Sequence, residues 1–154
     1  MASFKQALIY IDSLPVNSVN FYGIKREFFP KWEGWKIIDA GKIPDKNTVA
    51  EFYNMYFWSK LKGDLIHNQE LAELLFLFSI LNGKKKTIEK LSRVLARDIL
   101  LVNNEVINEI NSVDVIKLFM YLYCEISEFC IMLDKKQDFY KLLRIYNKFI
   151  SNNL

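Results

Sequence analysis

Few residues of this chain could carry chemistry, and their types exclude more than they allow. His67 is the only histidine, so no conventional Ser/His or Cys/His nucleophile set is available. No Cys or His cluster offers zinc spacing, no glycine loop is shaped for phosphates, and neither a metal nor a cofactor is expected. Cys124 and Cys130 fall six residues apart in one predicted helix. That spacing rises about 9 Å and turns the side chains to different faces, beyond disulfide reach, so both are expected to be buried free thiols. Lys84-Lys85-Lys86 could touch an anionic polymer, although a solvated helix junction is the simpler use of such a run. Phe21, Tyr22, Trp32 and Trp35 offer aromatic faces suited to the apolar faces of sugars, and they suit equally well the pinning of a long loop onto a core.

These residues sit in a chain of 154 residues that is 51% hydrophobic and 15% aromatic, enough for one compact domain with a real core. The net charge of +3, from 21 basic and 18 acidic residues, is mild and evenly spread, so nucleic acid is not an expected partner. The N-terminal residues turn polar at once and lack the charged, apolar and small-residue zones of a signal peptide. A cytoplasmic protein is the default expectation. The longest apolar run, 71–81, is interrupted by Glu73 and is too short to span a membrane.

Helical spacing dominates, and clean apolar/polar alternation hardly occurs, so the expected fold is mainly α. A first helix over 4–14 presents Phe4, Leu8 and Ile11 on one stripe and stops at Pro15. The next thirty or so residues read as irregular, broken by Gly23, Pro30, Gly34, Gly41 and Pro44, and such a loop usually forms a groove wall. A second helix begins near 45–48, where Thr48 and Glu51 have capping-box spacing, and ends at Lys62-Gly63-Asp64. A third, 68–82, is apolar nearly all round and should be a central buried helix, with Gly83 as its stop. Helices over 87–98, 105–110, 112–133 and 137–150 complete the expectation, with no internal repeat.

Three segments, in order, resemble the glycoside hydrolase family 108 muramidases, the phage-endolysin and secretion-activator group. Asn20-Phe21-Tyr22-Gly23-Ile24 is similar to the family's Thr-Asn-x-Gly-Ile. Tyr53-Asn54-Met55-Tyr56-Phe57-Trp58 through Lys62-Gly63-Asp64 is similar to its Tyr-x-x-x-Tyr-Trp…Arg-Gly-Asp, and the segment 76–95 follows its Phe-Asp-Phe-Ala-Val-Asn-Ser-Gly…Leu-Gln-x-Ala-Leu. The resemblance implies a single-domain lysozyme-like muramidase scaffold with a central buried helix over residues 1–154. Within it, 1–66 would be the lysozyme-like N-terminal segment and 67–154 helices of predicted peptidoglycan-domain type.

The departures from the family fall on its chemistry. Its catalytic glutamate lies eleven residues after a Phe matching Phe4, which places Pro15 at the acid. Proline cannot give or take a proton, while glycoside hydrolysis needs a carboxylic acid at the leaving oxygen. The family's Asp and Asn of the third helix fall at Leu77 and Leu81, an apolar stripe four residues apart. Three carboxylates could stand in for the lost acid: Asp12, one helical turn before Pro15, and Glu27 and Glu33 on the expected groove wall. The simpler reading of each is an ordinary solvated surface carboxylate.

The leading expectation is a muramidase-like pseudoenzyme that binds peptidoglycan glycan or a protein partner through Phe21, Tyr22, Trp32, Trp35, Leu77 and Leu81. One alternative is an active N-acetylmuramidase, an endolysin or secretion-associated enzyme, whose acid is Asp12, Glu27 or Glu33. Another is an interaction subunit of a secretion or phage-related system, for example as a homodimer through the long C-terminal helices. Reaching a bacterial wall from the cytoplasm would need a holin or a similar route into the periplasm.

Overall fold

In the computed structural model, residues 1–12, 14, 16, 17 and 19–153 are described. The N-terminal stripe of Phe4, Leu8 and Ile11 forms less helix than its spacing predicts: α1 covers only Phe4–Ala7 and continues as a 3-10 turn, Leu8–Tyr10. The region read as irregular holds regular structure on a small scale. Strands β1 (Val16–Asn17), β2 (Asn20–Phe21) and β3 (Ile24–Lys25) form an antiparallel sheet in that order, with Val16 opposite Phe21 and Phe21 opposite Ile24. A short helix, α2, spans Gly34–Asp39.

Helix α3, Lys46–Tyr53, starts at Asp45, whose carboxylate accepts from the Thr48 amide at 2.7 Å and its hydroxyl at 2.8 Å. The chain then widens into a π-helical turn, Asn54–Trp58, and tightens into two 3-10 turns, Ser59–Leu61 and Gly63–Leu65, around Lys62 in the left-handed region. Helix α4, Gln69–Asn82, is capped by the Asn68 side chain, which accepts from the Leu71 amide at 2.8 Å, a contact worth about 1 kcal/mol. Its residues from Glu70 through Ser79 are all buried, as expected of a helix apolar all round.

Gly83, at φ 85°, ends α4 and starts α5, Lys84–Val94. The three lysines occupy the first turn of α5, directly after the junction at Gly83, and all three are exposed. Helices α6 (Asn104–Ser112), α7 (Val115–Met132) and α8 (Lys136–Asn153) follow. Asp114 caps α7 by accepting from the amides of Ile116 and Lys117.

Helices α4, α5, α7 and α8 pack together, and α1 and the π-turn also pack on α4. One contiguous core runs from Ala7 and Trp58 through Leu77 and Phe78 to Leu122 and Phe149. In it the rings of Phe119 and Phe149 stack with centroids 3.7 Å apart. The fold is thus a single mainly α domain. No described helix is long and apolar enough to cross a membrane. The two cysteines differ from expectation: Cys130 is buried, but Cys124 is exposed because α7 turns it toward solvent.

Candidate functional site

The segments 20–24 and 53–64 meet, and their contacts are those of a scaffold. The Trp58 indole N–H donates to Asp64 Oδ1 at 2.8 Å. A Cβ on Gly63 would stand 2.4 Å from the same ring, so only glycine lets the turn fold back onto Trp58. The Tyr53 hydroxyl donates to the Tyr22 carbonyl, and burial pushes that phenol well above its ordinary range. Gly23, at φ +82°, would place a Cβ 2.9 Å from Leu14 Cδ1 and 3.1 Å from the Tyr53 oxygen. These positions fix the seam between the small sheet and α3.

Along that seam runs a groove of about 550 Å³. Its floor and one wall are aromatic: Phe29 and Phe52 meet edge to face at 4.8 Å, and Tyr56 stacks on Phe52 at 4.7 Å. Phe28, 65% exposed, stands at its edge. The opposite wall is Ser79 to Gly83 at the end of α4, and it is followed by Lys84 and Lys86. Lys25 from β3 and Lys135 from the turn between α7 and α8 also line it. No aspartate or glutamate is among the lining residues.

The sequence-derived candidates distribute unevenly around this groove. Leu81 lies on its wall and is half-buried, whereas Leu77, one turn earlier, is fully buried in the core. Phe21, Trp32 and Trp35 are core residues: Trp32 meets Trp35 edge to face at 5.0 Å, and the Trp35 indole donates to the Phe29 carbonyl at 2.8 Å. Tyr22 is half-buried beside Phe21. Of the two uses open to these aromatics, loop pinning is the one the packing displays for Phe21, Trp32 and Trp35.

The carboxylate candidates do not converge. Asp12 is exposed in a separate hollow of about 180 Å³, with Oδ1 3.8 Å from Lys46 Nζ. Glu33 is exposed and pairs with Lys36 at 2.9 Å, and Glu27 is exposed. Pro15 lies outside the described residues. Among the described residues, no group of three His, Cys, Asp or Glu side chains is placed to hold a metal ion.

Sequence reasoning missed a carboxylate that is fully buried, Glu73. Glu73, which interrupts the apolar run of α4, accepts from Lys148 Nζ at 2.8 and 3.0 Å, from Gln69 Nε2 at 2.9 Å and from the Tyr10 hydroxyl at 3.1 Å. Burial, then the charge of Glu73, drives the Tyr10 phenol well above its ordinary range. Gln69 also bonds the backbone of Ser3 in both directions, and Glu70 is 3.7 Å from Lys148. With all its oxygens engaged, Glu73 ties the N-terminal segment, α4 and α8 together and is not presented to the groove. The signal was the lone charge within an apolar run; its partner lies 75 residues away in sequence.

Fold and core together define a class, a single-domain, mainly α scaffold built around a central buried helix. In particular, the chain is similar to the solved structure of SagA from Brucella abortus. The TM-score is 0.75 over 96% of this chain and 94% of that one, at 16% sequence identity, and a likeness at that identity is one of fold alone. No family model matches the sequence, and no curated protein does.

Proposed function

We propose that this protein is a degenerate member of the glycoside hydrolase family 108 muramidases, a pseudoenzyme that has lost the acid and binds peptidoglycan glycan in the groove that remains. Residues 1–66 would be the lysozyme-like segment and 67–154 the peptidoglycan-domain-type helices. The observation that carries this reading is a groove walled by aromatics and lysines with no carboxylate lining it. General acid catalysis requires a proton donor within hydrogen-bond reach of the leaving oxygen. Asp12, Glu27 and Glu33 are all exposed and none lines the groove. The SagA-like fold supports the scaffold half of the proposal. Access to the wall would use a holin or comparable route. The test is co-sedimentation with purified sacculi: wild-type protein should pellet, and Phe28→Ala/Tyr56→Ala should stay in solution. Equal pelleting of both, or pelleting of neither, would remove the groove as a glycan site.

A second reading rests on a different surface. Ile131, Met132, Leu133 and Tyr140, at the turn between α7 and α8, are 67, 84, 51 and 60% exposed. Apolar clusters of this kind mark contacts with other proteins, which favours a protein partner or a homodimer at that end. Sedimentation equilibrium of wild type and Met132→Lys separates the two: a concentration-dependent dimer lost in the variant supports it, and a monomer throughout excludes the homodimer.

A further inference from the structure

We propose that the groove takes an anionic saccharide, a sugar ring bearing a phosphate or carboxylate, rather than a neutral glycan. This rests on the glycan-binding reading above and names its substrate class. Four lysines from three separate segments line the groove, Lys25 from β3, Lys84 and Lys86 from the first turn of α5, and Lys135 from the turn before α8. With no carboxylate lining it, the groove has one sign of charge, and a concave site of one sign concentrates ligands of the other. Two of the lysines sit where the α5 macrodipole is positive, so their charges oppose the helix that carries them, a local conflict that an anion would relieve.

Lys135 is positioned rather than merely near. Lys135 Nζ donates to Asn82 Oδ1 at 2.5 Å and stands 5.8 Å from the centre of the Phe129 ring. That bond leaves Asn82 Nδ2 as a buried donor with no partner among the described residues. Lys86 is paired with Glu89 at 2.8 Å, so Lys84 and Lys135 are the lysines best placed to meet an anion. Facing them, Phe28 and Tyr56 offer apolar surface for a sugar ring, and Lys25 Nζ lies 5.6 Å from the Phe28 centroid. A volume of about 550 Å³ falls within the range of small-molecule sites.

The experiment is calorimetric titration with N-acetylglucosamine 6-phosphate, glucuronic acid, neutral N-acetylglucosamine and inorganic phosphate, with amide shift mapping to locate each. The two anionic sugars should bind at least about tenfold more tightly than the neutral sugar, and the sugar phosphate more tightly than phosphate alone, weakening with added salt. Lys84→Gln and Lys135→Gln should each cost about tenfold for the anionic sugars, while Lys60→Gln, outside the groove, changes nothing. Phe28→Ala should weaken the sugar phosphate but not phosphate. Equal, lysine-independent binding of neutral and anionic sugars would overturn the inference and leave the glycan reading standing. So would pelleting with sacculi while no anionic sugar shifts groove amides. Phosphate binding as tightly as the sugar phosphate would overturn the saccharide assignment, and no binding by any sugar or sacculus would remove both readings.

Discussion

Replacing Lys148 by methionine should be among the most destabilising single changes in this protein. Glu73 is completely buried, and among the described residues Lys148 is the cation it is paired with, through contacts of 2.8 and 3.0 Å. Removing one partner of a buried ion pair typically costs about 3–5 kcal/mol because the remaining charge is left in a poorly solvating interior. Two features set where in that range this case falls. Glu73 keeps its bonds from Gln69 and Tyr10, and Lys148 is one-third exposed, both of which soften the loss. Against them, Glu70 is also within 3.7 Å of Lys148, so the variant leaves two neighbouring carboxylates without their shared cation. The lower end, about 3 kcal/mol, is the expected loss in urea unfolding at pH 7. At about 2–4 °C per kcal/mol for a chain of this size, the thermal midpoint should fall by about 6–12 °C. Glu73→Leu/Lys148→Met should recover part of the loss, since the Glu73 charge is removed, while Glu70 still lacks the lysine and Tyr10 and Gln69 lose their acceptor. A loss below about 1 kcal/mol for Lys148→Met, or a double variant as unstable as the single, would refute the idea that this pair locks α8 to α4.

Further expectations concern the scaffold and its titration. Gly63→Ala forces a Cβ to within 2.4 Å of the Trp58 ring and should cost about 1–3 kcal/mol, with a changed near-ultraviolet circular dichroism signal as the Trp58–Asp64 bond is displaced. The Glu125 carboxyl is held below its ordinary range, first by the Lys90 hydrogen bond at 2.9 Å. A folded value below the unfolded one gives stability that is present above about pH 4.3 and lost as pH falls through the folded value. Glu125→Gln should therefore cost more at pH 7 than at pH 3, which unfolding at the two pH values measures. Cys124 is exposed, whereas burial pushes the Cys130 thiol up to about 11. Titration with a thiol reagent at pH 8 should count one fast thiol in the native protein and the second only on unfolding.

The parts of this fold that were legible in sequence are those whose stability is local in pattern. Helix α4 shows its burial through uninterrupted apolar residues, and α7 and α8 show theirs through residues such as Leu122, Ile126, Leu142 and Ile145 that recur at helical spacing. The small sheet was not legible, because strands of two residues are too short to display a period of two. Helix α2 was hidden by its glycine start and flanking prolines, and the first helix ends at Tyr10 with no stop residue there, whereas the stop visible in sequence is Pro15. In the candidate site, the aromatic wall could be anticipated from composition, but not which rings face inward. Trp32 and Trp35 are buried by a long-range packing that spacing does not encode. The lysine wall assembles from β3, α5 and the turn before α8, and no single stretch announces it beyond Lys84-Lys85-Lys86.

The most direct test of the central claim is the quantity of new reducing-end muramic acid released from purified sacculi, measured by mass spectrometry after borohydride reduction. The expected result is release no greater than buffer alone, unchanged by Asp12→Asn, Glu27→Gln or Glu33→Gln. Release above buffer that one of those substitutions abolishes would contradict it, and would identify the carboxylate that performs the cleavage.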